Sequence, residues 1–385
     1  MPAITACKGL GLKALVVDRD PKAPGMEIAD VGLCVDIIDI DRVVEIAREY
    51  KIIGAMTMQS DIGVPTVGAV VDALCLPGPG RHVAERCSNK ILMRKALAAQ
   101  NVPQPKFKVV SNQVQLYDAV DKLGLPCVIK APDNSGSRGV VKVNSDQDIS
   151  DAFAEAKCYT RGQYVLVEEY IQGVEVGAQA FSVDCRCVKV LIHDDVISSP
   201  PYMIPVGHAF PSSLTADQVY KTKRAVKVCT EALGINSGPS NIDLIIDEEG
   251  NPRIIEIGAR IGATCLPELV YYHTGINWTV EAVKAACGID VDLKTKRSQA
   301  CAAFILHSPK DGVIEDYEIP PVYLENKDVI EWEMTVMRND QVSFLRKGTD
   351  RIGKVITRGQ TSKEAMTLAR DFYNSIKWDI RKFEA

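Results

Sequence analysis

The chain has 385 residues, a quarter of them charged, and a formal net charge of −5 at pH 7. This length allows two or three domains with buried cores, and the weak negative charge offers no electrostatic footprint for nucleic acid. No apolar run approaches the roughly 20 residues of a membrane helix, and no signal peptide is recognisable. The twelve scattered cysteines favour free thiols in a reducing compartment over disulfides or a zinc site. We therefore expect a cytoplasmic protein without nucleic-acid or membrane partners.

The first 80 residues alternate between strand-like and helix-like patterns. Leu15–Val17 and Ile53–Met56 are short apolar runs typical of buried strands, whereas residues 39–50 and 64–74 have apolar side chains at helical spacing. This alternation predicts a parallel sheet with crossover helices. The chain opens inside a predicted helix over Pro2–Gly9, so the first strand of this Rossmann-like region is expected to be missing.

Residues 77–80, Pro-Gly-Pro-Gly, predict a linker to a second region. After this linker, Ser88 is expected to cap a helix that ends near Gln100. Thr215 and Gln218 have the spacing of a capping box, and so do Thr361 and Glu364. The strands predicted beyond the linker are, in order, 106–110, 127–130, 140–143, 164–168, 174–183, 188–193, 242–246, 253–257, 304–307 and 329–337.

A small polar loop, Ala131 to Gly139, follows the predicted strand that ends at Lys130. Its glycines let backbone N–H groups approach anionic oxygens, while Lys130 and Arg138 add fixed positive charge. The loop suits a polyphosphate, although it lacks the spacing of both the P-loop and the dinucleotide fingerprint. An ordinary glycine turn is the alternative.

Two carboxylates lie on the hairpin predicted over residues 242–257. Asp243 and Glu256 are expected to be close together across its two strands. Paired carboxylates among apolar side chains require a positive partner, and a magnesium ion that also binds phosphate oxygens is one such partner. The alternative is a surface face whose carboxylates pair with Arg253 or Arg260.

The run Val165–Glu169 is followed by a sharp connection into the next predicted strand, where Glu175 lies. A connection of this kind can present backbone N–H and C=O groups to an adenine edge and a nearby carboxylate to ribose hydroxyls. An acidic strand end in contact with water is the alternative.

Taken in order, these segments resemble the ATP-grasp superfamily over about residues 85–290. The resemblance implies an α/β and α+β architecture in which an ATP-grasp fold follows a Rossmann-like pre-ATP-grasp domain and precedes a small α+β domain. The implied domains are residues 1–80, residues 81–290 with a lid subdomain at about 106–170, and residues 291–385.

Three further segments are similar to the stand-alone carboxylate–amine ligases called carbamoyl-phosphate-synthase-like or L-amino acid ligase-like. Asp18–Gly25 resembles their N-terminal signature, Val206–Ser212 resembles a segment near their acceptor pocket, and Asp350–Ile356 resembles their C-terminal domain. His208, in the second segment, is expected to position a substrate carboxylate or amine, and a structural histidine is the alternative.

The resemblance also implies roles for individual residues, each matched by position to a motif of the superfamily. The implied catalytic cations are Lys130, Arg138 and Arg260, and Arg260 also faces the acyl intermediate. The remaining implied contacts are Lys90 and Lys130 with phosphates, Ser135, Gly136, Ser137 and Gly139 as the lid over the triphosphate, Glu168, Glu169 and Ile171 with adenine, Glu175 with ribose, and Asp243 and Glu256 with the metal.

One position departs from the pattern. The superfamily usually has Glu-x-Asn where this chain has Glu256-Ile257-Gly258, so glycine replaces an expected metal ligand. A water molecule or Asn241 is expected to take its place.

The resemblance implies an ATP- and Mg²⁺-dependent ligase, with Mn²⁺ as an alternative metal. It would activate a carboxylate as an acylphosphate, join it to an amine, and release ADP and phosphate. Two other readings stay open: a bicarbonate-activating carboxylase or carbamoyl-phosphate-synthase-like enzyme, and a non-catalytic nucleotide-binding protein. An NAD-dependent dehydrogenase is disfavoured because the glycine fingerprint is missing. Homodimers are common among such enzymes, and the sequence names neither the acid nor the amine.

Overall fold

A computed structural model describes residues 1–134, 136, 138–198 and 204–383. The chain divides into two compact units. Unit one comprises Met1–Val190, Thr215–Gly262 and Asn277–Leu293, and unit two comprises Leu191–Leu214, Ala263–Ile276 and Lys294–Ala385. In the described part of the chain, no helix has the length and apolar character that crossing a membrane requires. The three-domain division derived from the sequence stays a prediction.

Helices and strands alternate through most of the described chain. The helices are α1 (Pro2–Gly9), α2 (Pro24–Ile28), α3 (Ile40–Glu49), α4 (Val64–Leu74), α5 (Arg81–Ser88), α6 (Lys90–Ala99), α7 (Gln113–Leu123), α8 (Ile149–Tyr159), α9 (Ala216–Leu233), α10 (Leu266–Thr274), α11 (Trp278–Ala286), α12 (Pro321–Leu324) and α13 (Ser362–Ser375). The strands are β1 (Leu15–Asp18), β2 (Val31–Cys34), β3 (Phe107–Val110), β4 (Cys127–Lys130), β5 (Val140–Val143), β6 (Val165–Glu169), β7 (Gly173–Val183), β8 (Arg186–Ile197), β9 (Pro205–Phe210), β10 (Gly238–Asp247), β11 (Pro252–Gly258), β12 (Ala300–His307), β13 (Gly312–Glu318), β14 (Val329–Met334), β15 (Gln341–Val342), β16 (Arg351–Gly359) and β17 (Lys377–Arg381).

The first part of unit one contains the predicted helices and a short parallel sheet. Strands β1 and β2 pair in parallel, and α1 precedes both of them. The strand predicted at Ile53–Met56 is wrong, because that segment has no strand conformation. A Cβ atom at Gly54 would lie 2.6 Å from the carbonyl oxygen of Ala286, so the segment packs closely against the end of α11. This contact takes the place of strand pairing.

A four-stranded antiparallel sheet in unit one has the order β3-β6-β4-β5. Helices α7 and α8 bury their apolar faces on it, including Leu116 and Phe153. The strands predicted here are confirmed, but the predicted helix cap is wrong. Ser88 ends α5 and donates its hydroxyl to the carbonyl of Ala84, whereas the side chain of Asn89 caps α6.

Three neighbouring strands of unit one, in the order β11-β10-β7, carry the predicted carboxylates. Strands β10 and β11 form the predicted hairpin, and Asp243 is the direct cross-strand partner of Glu256. The pairing shifts immediately after Asp243. Helix α9 begins with the predicted capping box, in which Thr215 and Gln218 satisfy each other's backbone groups.

Unit two is built on the strand order β9-β12-β16-β14, with the last part of β8 beside β9. Helix α13 packs against β12 and β16, and the core includes Leu306, Val355 and Phe372. A smaller sheet has the order β15-β13-β17. The predicted C-terminal strands are confirmed, and Thr361 caps α13 as predicted. The capping box is incomplete, because the Glu364 carboxylate accepts from the backbone N–H of Gln360 and not from that of Thr361.

Candidate active site

Lys90 connects three segments of unit one at the start of α6. Its ammonium group donates to Oε1 of Glu256 at 2.8 Å and to the carbonyl oxygen of Asn134 at 2.7 Å. Its backbone N–H also donates to the carbonyl of Pro132 at 2.8 Å. The side chain is 7% exposed. Lys90 therefore brings the helix, the loop after β4 and the carboxylate hairpin to one place.

Lys130 ends β4 and lies in a buried ion-pair network. Its Nζ is 2.6 Å from Oε2 of Glu168, while Oε1 of Glu168 accepts from Nε of Arg94 at 2.5 Å. Burial raises the pKa of Glu168, but Arg94 and Lys130 outweigh it, so the pKa lies below its usual value. Burial also lowers the pKa of Lys130, which Glu168 opposes. Both oxygens of Glu168 thus contact cations.

Arg94 was missed by the sequence analysis. It is fully buried, and the one available signal was its position four residues after Lys90 on the same helix.

The residues predicted near adenine lie on β6 and at the start of β7. Glu169 accepts from the backbone N–H of Lys106 at 2.8 Å, Ile171 lies in the connection between the two strands, and Glu175 is exposed on β7. The adenine roles of Glu168, Glu169 and Ile171 and the ribose role of Glu175 stay predictions.

The loop after β4 is closed by a backbone hydrogen bond from Ala131 N–H to the carbonyl of Gly139 at 2.8 Å. Gly139 has φ +68°, and a Cβ atom there would lie 2.7 Å from Tyr159, so the position requires glycine. Gly136 also has a positive φ, and both Gly136 and Arg138 are exposed. The predicted lid residues Ser135 and Ser137 lie outside the described residues.

Arg260 follows β11 and forms a two-pronged ion pair with Asp61 at 2.8 and 3.1 Å. Burial lowers the pKa of the guanidinium group, but Asp61, Asp243 and Glu256 outweigh it and raise the pKa. Asp61 was missed because it is 199 residues away in sequence. A Cβ atom at Gly258 would lie 3.1 Å from Asp61 Oδ1, so a larger side chain would crowd this pair.

The two predicted metal ligands have a donor set that suits Mg²⁺. Asp243 and Glu256 are direct cross-strand partners, and each offers the hard carboxylate oxygens that this ion prefers. Burial raises the pKa of Glu256, but Lys90, Lys130 and Arg260 outweigh burial, so the pKa lies below its usual value. Asn241 pairs with Gly258 across the hairpin and donates to Asp243 at 3.1 Å. Its amide thus lies beside the Asp243 carboxylate, and its role as a metal ligand stays a prediction.

His208 belongs to a buried cluster in unit two. Its Nδ1 and that of His193 lie 2.5 and 2.8 Å from the same oxygen of Asp195. Such distances fit two hydrogen bonds to one carboxylate oxygen. The three residues are close enough to share an ion, and His193 also contacts Phe210. The substrate role of His208 stays a prediction.

Replacement of Asp195 by asparagine should lower the free energy of unfolding by about 1–3 kcal/mol at pH 7, because the two imidazoles lose a shared anionic acceptor. Burial raises the pKa of Asp195, but His193 and His208 outweigh it and hold the pKa below its ordinary 3.8. Its stabilisation is therefore present above about pH 4 and is lost as the pH falls further. Urea unfolding at several pH values should show the difference between the two proteins shrinking in acid. The exposed Asp379→Asn is the control, and a difference that grows in acid would contradict the prediction.

Two family descriptions match the chain. An ATP-grasp domain matches residues 123–268, and an L-amino acid ligase C-terminal domain 2 matches residues 304–381. The chain thus contains an ATP-grasp domain followed by a C-terminal domain of the L-amino acid ligase type. The predicted resemblance to ATP-grasp ligases and the predicted ATP-grasp fold are confirmed.

Three similar proteins agree with these two domains. A formate-dependent phosphoribosylglycinamide formyltransferase of Methanocaldococcus jannaschii is 31% identical over 246 residues, which are 58% of each protein, so the chain spans less than two thirds of that relative. The structure of a phosphoribosylglycinamide synthetase from Anaerococcus prevotii has 27% identity and a TM-score of 0.82, covering 99% of this chain and 96% of that one. The L-amino acid ligase from Bacillus licheniformis, at 20% identity and a TM-score of 0.84, covers 99% and 95% and shows the ATP-grasp fold.

Proposed function

We propose that this ATP-grasp ligase activates the carboxylate of an amino acid or another small metabolite with ATP and joins it to an amine. The products are an amide or peptide bond, ADP and phosphate. The observation that carries the proposal is the meeting of Lys90 with Glu256, opposite Asp243, beside the buried ammonium group of Lys130. The match of the C-terminal residues to an L-amino acid ligase domain favours an amino acid as the acid component.

The charges of this cluster suit a polyphosphate. Lys90, Lys130 and Arg94 carry three positive charges, and Glu168 and Glu256 carry two negative charges beside them. Asp243 adds a third carboxylate at the exposed edge, so the cluster offers cations and carboxylates in equal number. A nucleotide triphosphate is attracted by the cations, while a metal ion accompanying it is attracted by the two hairpin carboxylates.

The chemistry requires fixed charges more than a nucleophilic side chain. The substrate carboxylate attacks the γ-phosphorus of ATP, the bond to the ADP oxygen breaks, and the acylphosphate then loses phosphate when the amine attacks its carbonyl. Lys90 and Lys130 hold the transferring phosphoryl group in line, and Arg260 neutralises developing charge. Mg²⁺, or Mn²⁺ in its place, would be held by Asp243 and Glu256 and would neutralise phosphate charge.

The proposal is tested by a screen for ATP-dependent phosphate release across amino acids and small carboxylates, with and without amines. Hydroxylamine should trap the activated acyl group as a hydroxamate, because it attacks acylphosphates. We expect hydroxamate and ADP in equal amounts with the right acid. ADP release that depends on bicarbonate alone would instead favour a carboxylase, and nucleotide binding without turnover under every combination would overturn the proposal.

Replacement of Arg138 by alanine should raise the KM for ATP several-fold and change kcat less. Arg138 is exposed at the end of the loop after β4, where an incoming polyphosphate can reach its guanidinium group. Initial-rate kinetics over a range of ATP concentrations check this. Arg161→Ala, at another exposed position, is the control. An unchanged KM in the Arg138 variant would contradict a lid role.

A further inference from the structure

Arg94 contacts two parts of the candidate site at once. It is fully buried in α6, one turn after Lys90, so both side chains project from the same face of the helix. Its Nε donates to Glu168, the partner of Lys130. Its two terminal nitrogens donate to the carbonyl oxygens of Ile254 at 3.3 Å and Ile255 at 2.7 Å.

The backbone contacts of Arg94 lie directly before Glu256 on β11. Glu256 in turn accepts from Lys90, which is on the same helix as Arg94. The helix and the strand are therefore joined twice, once through the Arg94 guanidinium and once through the Lys90 ammonium. A shift of β11 along the helix would break both connections, so the position of the Glu256 carboxylate is fixed relative to α6.

The contact of Arg94 with Glu168 connects the helix to Lys130 on β4. Glu168 is buried between Arg94 and Lys130, one oxygen to each. A buried carboxylate with a single cationic partner is costly, and its charge depends on both partners. Arg94 thus holds the anion that in turn holds the ammonium group of Lys130 at the end of β4.

We propose that Arg94 is a positioning residue of this enzyme, which sets the spacing between Lys130, on one strand, and Glu256, on another, so that both meet the phosphates and metal of one nucleotide. The inference rests on the proposed function in one respect, the binding of a nucleotide at this site. It does not depend on which acid and amine are joined. Arginine suits this role because its planar group donates in several fixed directions at once, whereas lysine offers a compact point charge.

Two substitutions separate the charge of Arg94 from its shape. Arg94→Lys keeps the charge beside Glu168 and loses the directed bonds to Ile254 and Ile255. Arg94→Met removes the charge as well, so the pKa of Glu168 should rise because Arg94 lowers it. The acidic limb of nucleotide binding should then move to higher pH in Arg94→Met but not in Arg94→Lys. A residue that only filled space would not move this limb.

The experiment measures the affinity of the full chain for ADP with Mg²⁺ by calorimetry between pH 5 and 9, together with thermal unfolding. We expect at least about tenfold weaker binding in Arg94→Lys, which is the scale of one lost charge-assisted contact. Arg253→Met, which removes the arginine–carboxylate pair with Asp247 on the β10–β11 hairpin, should bind as the unmodified chain does. Unchanged affinity and pH dependence in both Arg94 variants would overturn the proposal.

A folding defect is addressed by a double variant. Arg94→Met combined with Glu168→Gln removes the buried carboxylate together with its partner, so stability should recover towards that of the unmodified chain while ADP binding stays weak. Recovery of both would show a purely structural role and overturn the proposal. If no acid and amine support turnover while Arg94→Lys still weakens ADP binding, the ligase proposal fails and the role of Arg94 stands.

Discussion

Replacement of Glu256 by glutamine should lower kcat for ATP-dependent ligation by about a hundredfold to a thousandfold, the scale of losing one preorganised charge in a phosphoryl-transfer site. Glutamine keeps the size of the side chain and one oxygen that can accept from Lys90, so the fold should persist. It removes the negative charge that would face the metal beside Asp243. Steady-state kinetics at saturating and limiting Mg²⁺ measure the loss.

The matched control for this substitution is Glu248→Gln. Glu248 is exposed in the turn of the same hairpin, so its replacement should leave kcat within about twofold of the unmodified chain. Thermal unfolding of both variants separates a catalytic loss from a loss of folded protein. Near-normal turnover in folded Glu256→Gln would remove Glu256 from the metal site and require another ligand.

Replacement of Lys130 by methionine should lower kcat/KM for ATP by about a hundredfold or more. Methionine fills a similar volume without the charge, so a phosphate oxygen would lose a buried cationic partner. Glu168 would keep only Arg94 as a cationic partner, which costs stability, so thermal unfolding of the variant is measured beside its kinetics. ATP-dependent phosphate release under conditions of limiting ATP measures the effect.

Lys122→Met serves as the control for Lys130→Met. Lys122 is exposed and pairs with Asp118 on a helix surface, where an ion pair contributes little. Its replacement should leave kcat/KM unchanged. If Lys130→Met behaved like Lys122→Met while remaining folded, the ammonium group of Lys130 would have no part in binding phosphate.

The carboxylate pair could be predicted from the sequence because a hairpin is a local structure. A polar turn between two apolar runs fixes which residues lie opposite each other, and Asp243 does pair with Glu256. The resemblance to the superfamily could be predicted because several weak motifs follow one another in a characteristic order. That order is informative even though no single motif is decisive.

The remaining parts of the site depend on contacts between distant segments. Asp61 pairs with Arg260, and Arg94 pairs with Glu168, across separations of 199 and 74 residues that no local pattern encodes. The strand predicted at Ile53–Met56 failed for the same reason, because the neighbour of Gly54 in space is the end of α11. Apolar character predicted a buried strand there, but Ile53 is 57% exposed and the segment packs beside a helix end instead.

The helix cap shows a smaller limit of local patterns. Ser88 and Asn89 are adjacent, and both residue types favour helix caps. The structure selects Asn89 because Ser88 still belongs to α5, where its hydroxyl bonds to the carbonyl of Ala84. Two helices that meet without a spacer leave only one residue available to begin the second.

The ammonium group of Lys90 carries three hydrogens, and two of them point at Glu256 and at the carbonyl of Asn134. The third hydrogen can donate to a phosphate oxygen while both of these contacts are kept. A nucleotide would bind to Lys90 where this residue already connects the helix, the loop and the hairpin. The site can accordingly be assembled before its ligand, so that little of the binding free energy is spent on ordering these three segments.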